Sequence, residues 1–310
     1  MTHDYHTPVL SEKVLEFLLT TTAGIYIDAT LGGGGHAEQI LQRLSPDGLL
    51  IGLDADEDAV RFSNERLRKF DVQMKLIRDN FVNVPLLIRQ NGIPRIDGIL
   101  FDLGVSSYQL DEEGKGFSYR GNERLDMRMD RRQSFDAAQL LNTLDEAAIS
   151  DILRTHGEER YARKIARRIV ERRQRQNFER CSDLATVVEG VLGKNFLNKS
   201  LSRVFQALRI AVNNELDNLR QGLRGALDVL RPGGRMVVIA YHSLEDRIVK
   251  DFFRTESATT IPSGHKLVPD TIRSPMLKLL TKKPVLALEM EIKLNPRSRS
   301  AKLRAAERIS

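Results

Sequence analysis

The stretch Gly24–Leu41, GIYIDATLGGGGHAEQIL, constrains the fold of this chain more than any other. Ile25, Tyr26 and Ile27 form a short apolar run of β-favouring residues that ends in an acid, Asp28. Gly32 to Gly35 follow, and His36 opens a stretch with helical apolar spacing at Ala37, Ile40 and Leu41. A strand, a glycine turn and a helix in that order make the first unit of a nucleotide-binding α/β sheet. Glycines are needed where the backbone takes positive φ and where a ligand approaches the main chain closely.

Charge separates the ligands such a loop can hold. Gly32-x-Gly34-x-x-Ala37 matches the dinucleotide fingerprint, and Asp54 lies at a spacing that suits a ribose. Glycine runs satisfy that pattern easily, and Asp28 stands against it as a carboxylate placed before the loop. Asp54 follows a second strand at Leu49–Leu53, and Asp102 sits in a third at Ile99–Leu103. In a parallel sheet the three acids gather at the carboxyl ends of the strands, where ligands bind. Such a cluster repels a pyrophosphate and suits a ligand carrying a sulfonium and an ammonium group, which is S-adenosylmethionine. A nicotinamide oxidoreductase, the alternative enzyme class, would need affinity for a pyrophosphate beside Asp28 and Asp102. Asp102 also interrupts the nearly continuous apolar run Ile96–Val105, and a buried parallel strand does not normally carry an acid in its middle. Its place just before Gly104 puts it in the ligand crevice.

The rest of the chain frames this unit. At 310 residues, 41% hydrophobic and 29% charged, it has the composition of an ordinary globular protein with room for one large or two smaller domains. No run approaches a membrane helix in length, the N-terminus lacks the regions of a signal peptide, and Cys181 is alone. These features imply a cytoplasmic protein with no intrachain disulfide, no membrane partner and no cysteine zinc site. His6 has no second ligand at a useful spacing and reads as a structural or cleft residue, so no metal centre is expected. The net charge of +6 suits an anionic partner. Ser11 to Leu19 reads as a helix with Ser11 as its cap, Asp56 to Lys69 as another, and Met74–Ile77 as a short strand. Phe81, in the loop after that strand, fits either an adenine contact or a core plug.

From Asp111 to about Leu201 no strand is legible. Phe135–Leu141, Asp145–Arg154, Glu158–Arg175, Ser182–Leu192 and Val204–Leu230 read as helices, too much for one connection between sheet strands, so this stretch reads as a helical insert. On Glu158–Arg175, Tyr161, Ala162, Ile165, Ala166, Ile169 and Val170 form an apolar arc opposite Arg163, Lys164, Arg167, Arg168 and Arg175. That basic side is a solvated face or a phosphate-binding one. Arg231-Pro232-Gly233-Gly234 stops the long helix, Arg235–Tyr241 is a buried strand, and Ser243 is placed to cap the helix after it. Val285–Leu294 is the last long strand candidate, and Asn295–Ser310 a basic tail that meets phosphate or is simply solvated.

Several segments together resemble one family: HTPVL at His6, DATLGGGGH at Asp28, GLDAD at Gly52, DGILFDLGVSSYQLD at Asp97, GFSYR at Gly116 and RLDMRMD at Arg124. GEERYARKIARRIV at Gly157, FQALRIAVNNEL at Phe205, PGGRMVVIAYHSLEDRIVK at Pro232 and NPRSRSAKLRAAER at Asn295 complete the set. In family order over nearly the whole chain, they resemble the RsmH (MraW) type 16S rRNA cytosine-N4 methyltransferases of bacteria. The resemblance implies a class I (Rossmann-like) α/β methyltransferase sheet with an inserted helical domain. The sheet domain would comprise residues 1–109 and 204–310, and the RNA-recognising insert residues 110–203. It also implies methyl transfer from S-adenosylmethionine to the exocyclic amine of a cytidine in the decoding region of small-subunit RNA, free or in an assembling 30S particle. Carried over by motif, the cofactor contacts fall on Gly34, Gly35, His36, Asp54, Phe81, Asp102 and Gln109, with Asp102 also the catalytic candidate. DNA amino-methyltransferases carry a Pro-Pro-aromatic step after their acid or amide, where this chain has Asp102-Leu103-Gly104-Val105, so their base clamp does not transfer. A non-enzymatic RNA-binding assembly factor on the same fold is the third reading, and the intact Asp54, Asp102 and glycines speak against it.

Overall fold

A computed structural model describes residues 8–104, 115–119, 121–193, 196–261, 263 and 270–310. The chain divides into two compact units, Met1–Gly104 with Leu216–Ser310, and Val105–Glu215. Val204–Asn213, assigned from sequence to the sheet domain, therefore falls in the insert. His6 and Gln109 lie outside the described residues.

The first unit opens with α1 (Ser11–Leu18), entered through Leu10 in the left-handed conformation, so Ser11 is the first helical residue and not its cap. Then come β1 (Ile25–Asp28), α2 (Gly35–Leu41), β2 (Leu49–Asp54), α3 (Glu57–Arg66), β3 (Met74–Arg78), α4 (Val84–Gln90) and β4 (Ile96–Asp102). Asp56 caps α3, its carboxylate accepting the Asp58 N–H at 3.1 Å. The insert supplies α5 (Ala137–Thr143), α6 (Glu146–Thr155), α7 (Ala162–Arg173), α8 (Cys181–Leu192) and α9 (Leu197–Asn213), with no strand element among its described residues. Leu140, Ile149, Ile165, Ile169, Leu184, Val204 and Leu208 meet in a core of its own. On α7, Ala162, Ile165, Ala166 and Ile169 are buried, whereas Tyr161, expected on the same arc, is 41% exposed.

The return to the first unit begins with α10 (Glu215–Val229). The single helix expected over Val204–Leu230 is broken at Asn214, whose φ of 51° is left-handed, a conformation that asparagine tolerates better than most residues. β5 (Leu230–Ala240), α11 (Ser243–Glu256), β6 (Thr260–Ile261), β7 (Thr271–Ile272), β8 (Leu277–Leu279), β9 (Val285–Leu286), α12 (Glu289–Leu294) and β10 (Lys302–Arg308) complete it. α11 is capped by His242 and not by Ser243: the His242 ring accepts the Glu245 N–H, while the Glu245 carboxylate accepts the N–H groups of Tyr241 and His242.

Two sequence expectations fail at the C-terminal end. Val285–Leu294 is a two-residue strand followed by a helix. The basic tail is instead a strand of the core sheet: β10 runs antiparallel to β5 from Lys302↔Ala240 to Glu307↔Arg235 and pairs β8 on its other edge. Two of its arginines are engaged within the unit. Arg304 Nε donates to Asp246 at 2.7 Å, and Arg308 donates to the carbonyls of Leu227 and Leu230, where α10 gives way to β5.

The sheet order is β3-β2-β1-β4-β5-β10-β8, the first five strands parallel and β10 reversed. On one face, Val14, Leu18, Ile40 and Leu41 of α1 and α2 cover Tyr26, Leu50, Leu100 and Ile239. On the other, Ile88, Leu219, Leu223, Val249 and Phe253 of α4, α10 and α11 cover Ile27, Ile51, Ile99, Phe101 and Val238. Both faces of the sheet are thus buried, as a parallel sheet requires. The order reverses between β1 and β4, so the crevice beyond the carboxyl ends opens there. No described helix is long and apolar enough to cross a membrane.

Candidate active site

Register brings the acids together. Asp28 pairs with Gly52 on one side and Leu100 on the other, so Asp54 and Asp102 each stand two residues beyond it on the flanking strands. With side chains alternating every residue, all three carboxylates emerge on the same face of the sheet, that of α1 and α2. The crevice edge therefore carries an acid from β1, β2 and β4.

The glycine loop is fastened to this edge by its main chain. The Gly32 N–H donates to Asp54 Oδ2 at 2.8 Å, and the Asp56 N–H donates to Asp54 Oδ1 at 2.9 Å. α3 straps the loop from outside, through Ser63 Oγ to the Gly32 carbonyl at 2.8 Å and Arg66 Nη1 to the Gly33 carbonyl at 3.0 Å. Arg66 in turn holds Glu38 of α2 at 2.9 Å. Gly34 has φ +72°, and a Cβ there would lie 2.9 Å from Ser63 Oγ. Glycine at that position is dictated by backbone handedness and by the approach of α3. Ser63 and Arg66 carry no signal in the sequence beyond lying on a helix after Asp54.

Asp28 is buried. Its Oδ1 accepts the Thr30 N–H at 3.2 Å, and its Oδ2 has no hydrogen-bond partner among the described residues. Burial pushes its carboxyl up to about 7, against the opposing pull of His36. His36, buried on α2, is pushed down by burial, but Asp102 and Asp28 outweigh that and hold it above its ordinary value. Its Nε2 lies 3.5 Å from Asp102 Oδ2, an ion-pair distance too long for a good hydrogen bond, and it too is without a hydrogen-bond partner among the described residues.

Asp102 is partly open, with 25% of its side chain exposed. Its N–H donates to Thr30 Oγ1 at 2.6 Å, and its Oδ1 accepts the Tyr241 hydroxyl at 2.8 Å. Tyr241 follows β5, two residues after Ile239, the partner of Asp102, so its ring projects from the same face. Sequence reasoning missed it, because an aromatic residue ending a buried apolar strand looks like core. Phe81 packs on the opposite face, edge-on to Phe101 with ring centroids 5.4 Å apart, where a Cβ on Gly222 would lie 2.5 Å from its ring. That is the core-plug arrangement.

Asp28, Asp54 and Asp102 at the switch point, with Asp28 Oδ2 buried and without a hydrogen-bond partner among the described residues, fit a cationic ligand and not a pyrophosphate. The donor set suits S-adenosylmethionine, with carboxylate lone pairs for ribose hydroxyls and an ammonium group. A sheet whose first five strands run parallel with β10 reversed beside them, carrying this acid-lined loop, defines a class I S-adenosylmethionine-dependent methyltransferase. The chain belongs to the MraW methylase family, whose model matches residues 3–309. It is 45% identical over 315 residues to the ribosomal RNA small subunit methyltransferase H of Geotalea uraniireducens, covering 100% of both chains. It is 46% identical over 310 residues to the protein of that name from Trichlorobacter lovleyi, covering 98% of each. To that of Fusobacterium nucleatum it is 43% identical over 309 residues, covering 99% of this chain and 98% of the other.

Proposed function

We propose that this chain transfers the methyl group of S-adenosylmethionine to the exocyclic N4 of a cytidine in the decoding region of 16S ribosomal RNA, as small-subunit RNA or within the assembling 30S particle, in the cytoplasm. The names of its full-length relatives support small-subunit RNA as the substrate class. The observation that carries the chemistry is Asp102, a partly exposed carboxylate anchored at both its main chain and Oδ1 beside the cofactor loop.

When bound, S-adenosylmethionine supplies an electrophilic methyl on a positively charged sulfur. Gly34, Gly35, His36, Asp54, Asp102 and Gln109 would hold it, with Gln109 outside the described residues and Phe81 set aside because it packs on the opposite face of the sheet. The cytosine amine is a poor nucleophile because its lone pair is delocalised into the ring. An acceptor on its protons localises that pair and receives charge as it develops, which is the task assigned to Asp102. The target base has to be unstacked to reach the crevice. Tritium transfer from labelled S-adenosylmethionine to small-subunit RNA, followed by nucleoside analysis, tests the proposal. Label in N4-methylcytidine is expected; label in another nucleoside, or none in RNA, overturns it.

Asp54 is assigned to the ribose. Hydrogen bonds to a charged acceptor contribute about 1.5–3 kcal/mol each, so Asp54→Ala should weaken cofactor binding at least about tenfold in calorimetry. Because the Gly32 and Asp56 N–H groups lose their acceptor, the midpoint of a still cooperative melt should also fall. Unchanged affinity would remove Asp54 from the site.

The insert is assigned to RNA through the basic side of α7. Arg163, Lys164, Arg167 and Arg168 of α7, and Arg175 just beyond its end, are all exposed, and Arg167 and Arg168 share a single acid, Glu171. Exposed pairs of that kind are weak and exchange readily for phosphate. Each lost phosphate contact lowers the salt-dependence slope by roughly 0.7–0.9. Changing Arg163, Arg167 and Arg168 together to Gln should weaken RNA binding and flatten its salt dependence while leaving cofactor affinity alone. Wild-type RNA affinity and slope would show this face to be merely solvated.

A further inference from the structure

The hydroxyl of Tyr241 donates to Asp102 Oδ1 at 2.8 Å, a charge-assisted bond delivered across the β4–β5 pairing. The main chain of Tyr241 is itself fixed, its N–H donating at 2.9 Å to the buried carboxylate of Glu245 on α11. On the other side of Asp102, the Thr30 hydroxyl accepts the Asp102 N–H at 2.6 Å. Asp102 Oδ2 has His36 Nε2 3.5 Å away, an ion-pair distance longer than the bond that holds Oδ1. One oxygen of the carboxylate is therefore tethered by a short hydrogen bond, and the other has only the looser His36 contact, which an amine donor can displace. Packing does not require this hydroxyl, because a phenylalanine ring would fill the same space.

We propose that Tyr241 is a positioning residue for methyl transfer, whose hydroxyl fixes the carboxylate of Asp102 so that Oδ2 stands ready for the protons of the target amine. The proposal rests on the reading that Asp102 acts on the amine. An acceptor that must turn during the reaction loses the advantage of a preset environment, and a small misplacement of a positioning group costs up to about a hundredfold in rate. Burial, and then the charge of Asp102, push the Tyr241 phenol well above its ordinary value, so it remains a donor throughout the working pH range. The hydroxyl acts through its bond to Asp102 Oδ1, so its effect should vanish when Asp102 is changed.

That dependence gives the test, a double-mutant cycle on the full chain with single-turnover rates at saturating S-adenosylmethionine and small-subunit RNA. Tyr241→Phe, which keeps the ring and hence the packing, should lower the rate by about tenfold to a hundredfold. Its KM values and calorimetric cofactor affinity should stay within roughly threefold of wild type. The Tyr241→Phe/Asp102→Asn double variant should be no slower than Asp102→Asn alone, a non-additivity that a packing role does not produce. A wild-type rate for Tyr241→Phe beside a slow Asp102→Asn overturns the proposal and leaves the reading of Asp102 standing. So does a double variant slowed by the product of the two single losses. A wild-type rate for Asp102→Asn overturns the reading itself, and Tyr241 with it.

Discussion

Asp102→Asn should slow single-turnover methyl transfer by roughly 10²–10³-fold, the loss typical when one preorganised group facing developing charge is removed. The substitution is nearly isosteric and keeps an oxygen for the Tyr241 hydroxyl, which holds Oδ1 at 2.8 Å. What disappears is the negative charge beside the amine, and that interaction strengthens as the amine becomes positive in the transition state. The loss should therefore survive saturating S-adenosylmethionine, with cofactor affinity in calorimetry falling far less than the rate. If the rate returns to wild type at saturation, Asp102 serves the cofactor alone. Wild-type rate and affinity together would remove it from both roles.

The second large effect concerns stability and pH at Asp28. Its carboxyl titrates near 7 in the folded chain against an ordinary 3.8, because burial disfavours the charged form. The unfolded chain thus gives up this proton near pH 4 and the folded chain only near 7. The penalty begins at about pH 4, grows as the pH rises to about 7 and stays constant above it. A shift of that size corresponds to roughly 4 kcal/mol as an upper figure. Asp28→Asn keeps the oxygen that accepts the Thr30 N–H but places an amide where Oδ2 has no partner, at a cost of about 1–3 kcal/mol. The variant should therefore be less stable than wild type at pH 4.5 and should overtake it by about 1–3 kcal/mol by pH 8. Denaturant titrations at the two pH values check this. A difference that does not change with pH would show that Asp28 ionises normally in the folded chain.

These two acids also show what the sequence reveals and what it hides. Asp28, Asp54 and Asp102 are legible because each closes an apolar, β-favouring run where burial alone would select a hydrophobic residue. Parallel pairing then has to gather them at one edge, and the observed register does so. Tyr241 is not legible, because only the register of β5 against β4 shows that its hydroxyl reaches a carboxylate. β10 is hidden for a different reason. Its buried centre is Leu303, Arg304, Ala305 and Ala306, in which small side chains weaken the β signal and arginines mimic a solvated tail. Arg304 and Arg308 find their partners on α11 and around the end of α10, pairings that no spacing in the sequence foretells. The break at Asn214 is equally silent, since apolar periodicity continues on both sides of it while one residue turns left-handed.

β4 and β5 lie side by side in the sheet, yet the whole of Val105–Glu215 and then α10 stand between them in the chain. Loop-closure entropy grows only logarithmically, about 0.6 kcal/mol per doubling of length, so at equilibrium this separation is cheap. In time it is expensive, because non-local pairing of this kind is the slow class of folding event. Until α10 and β5 have been added, β4 presents an unpaired apolar edge, the part of an unfinished sheet most prone to pairing with another chain. An intervening segment that collapses around its own core replaces a long coil with a compact body and shortens that exposure. The excursion that separates the two halves of the sheet thus also governs how quickly they meet.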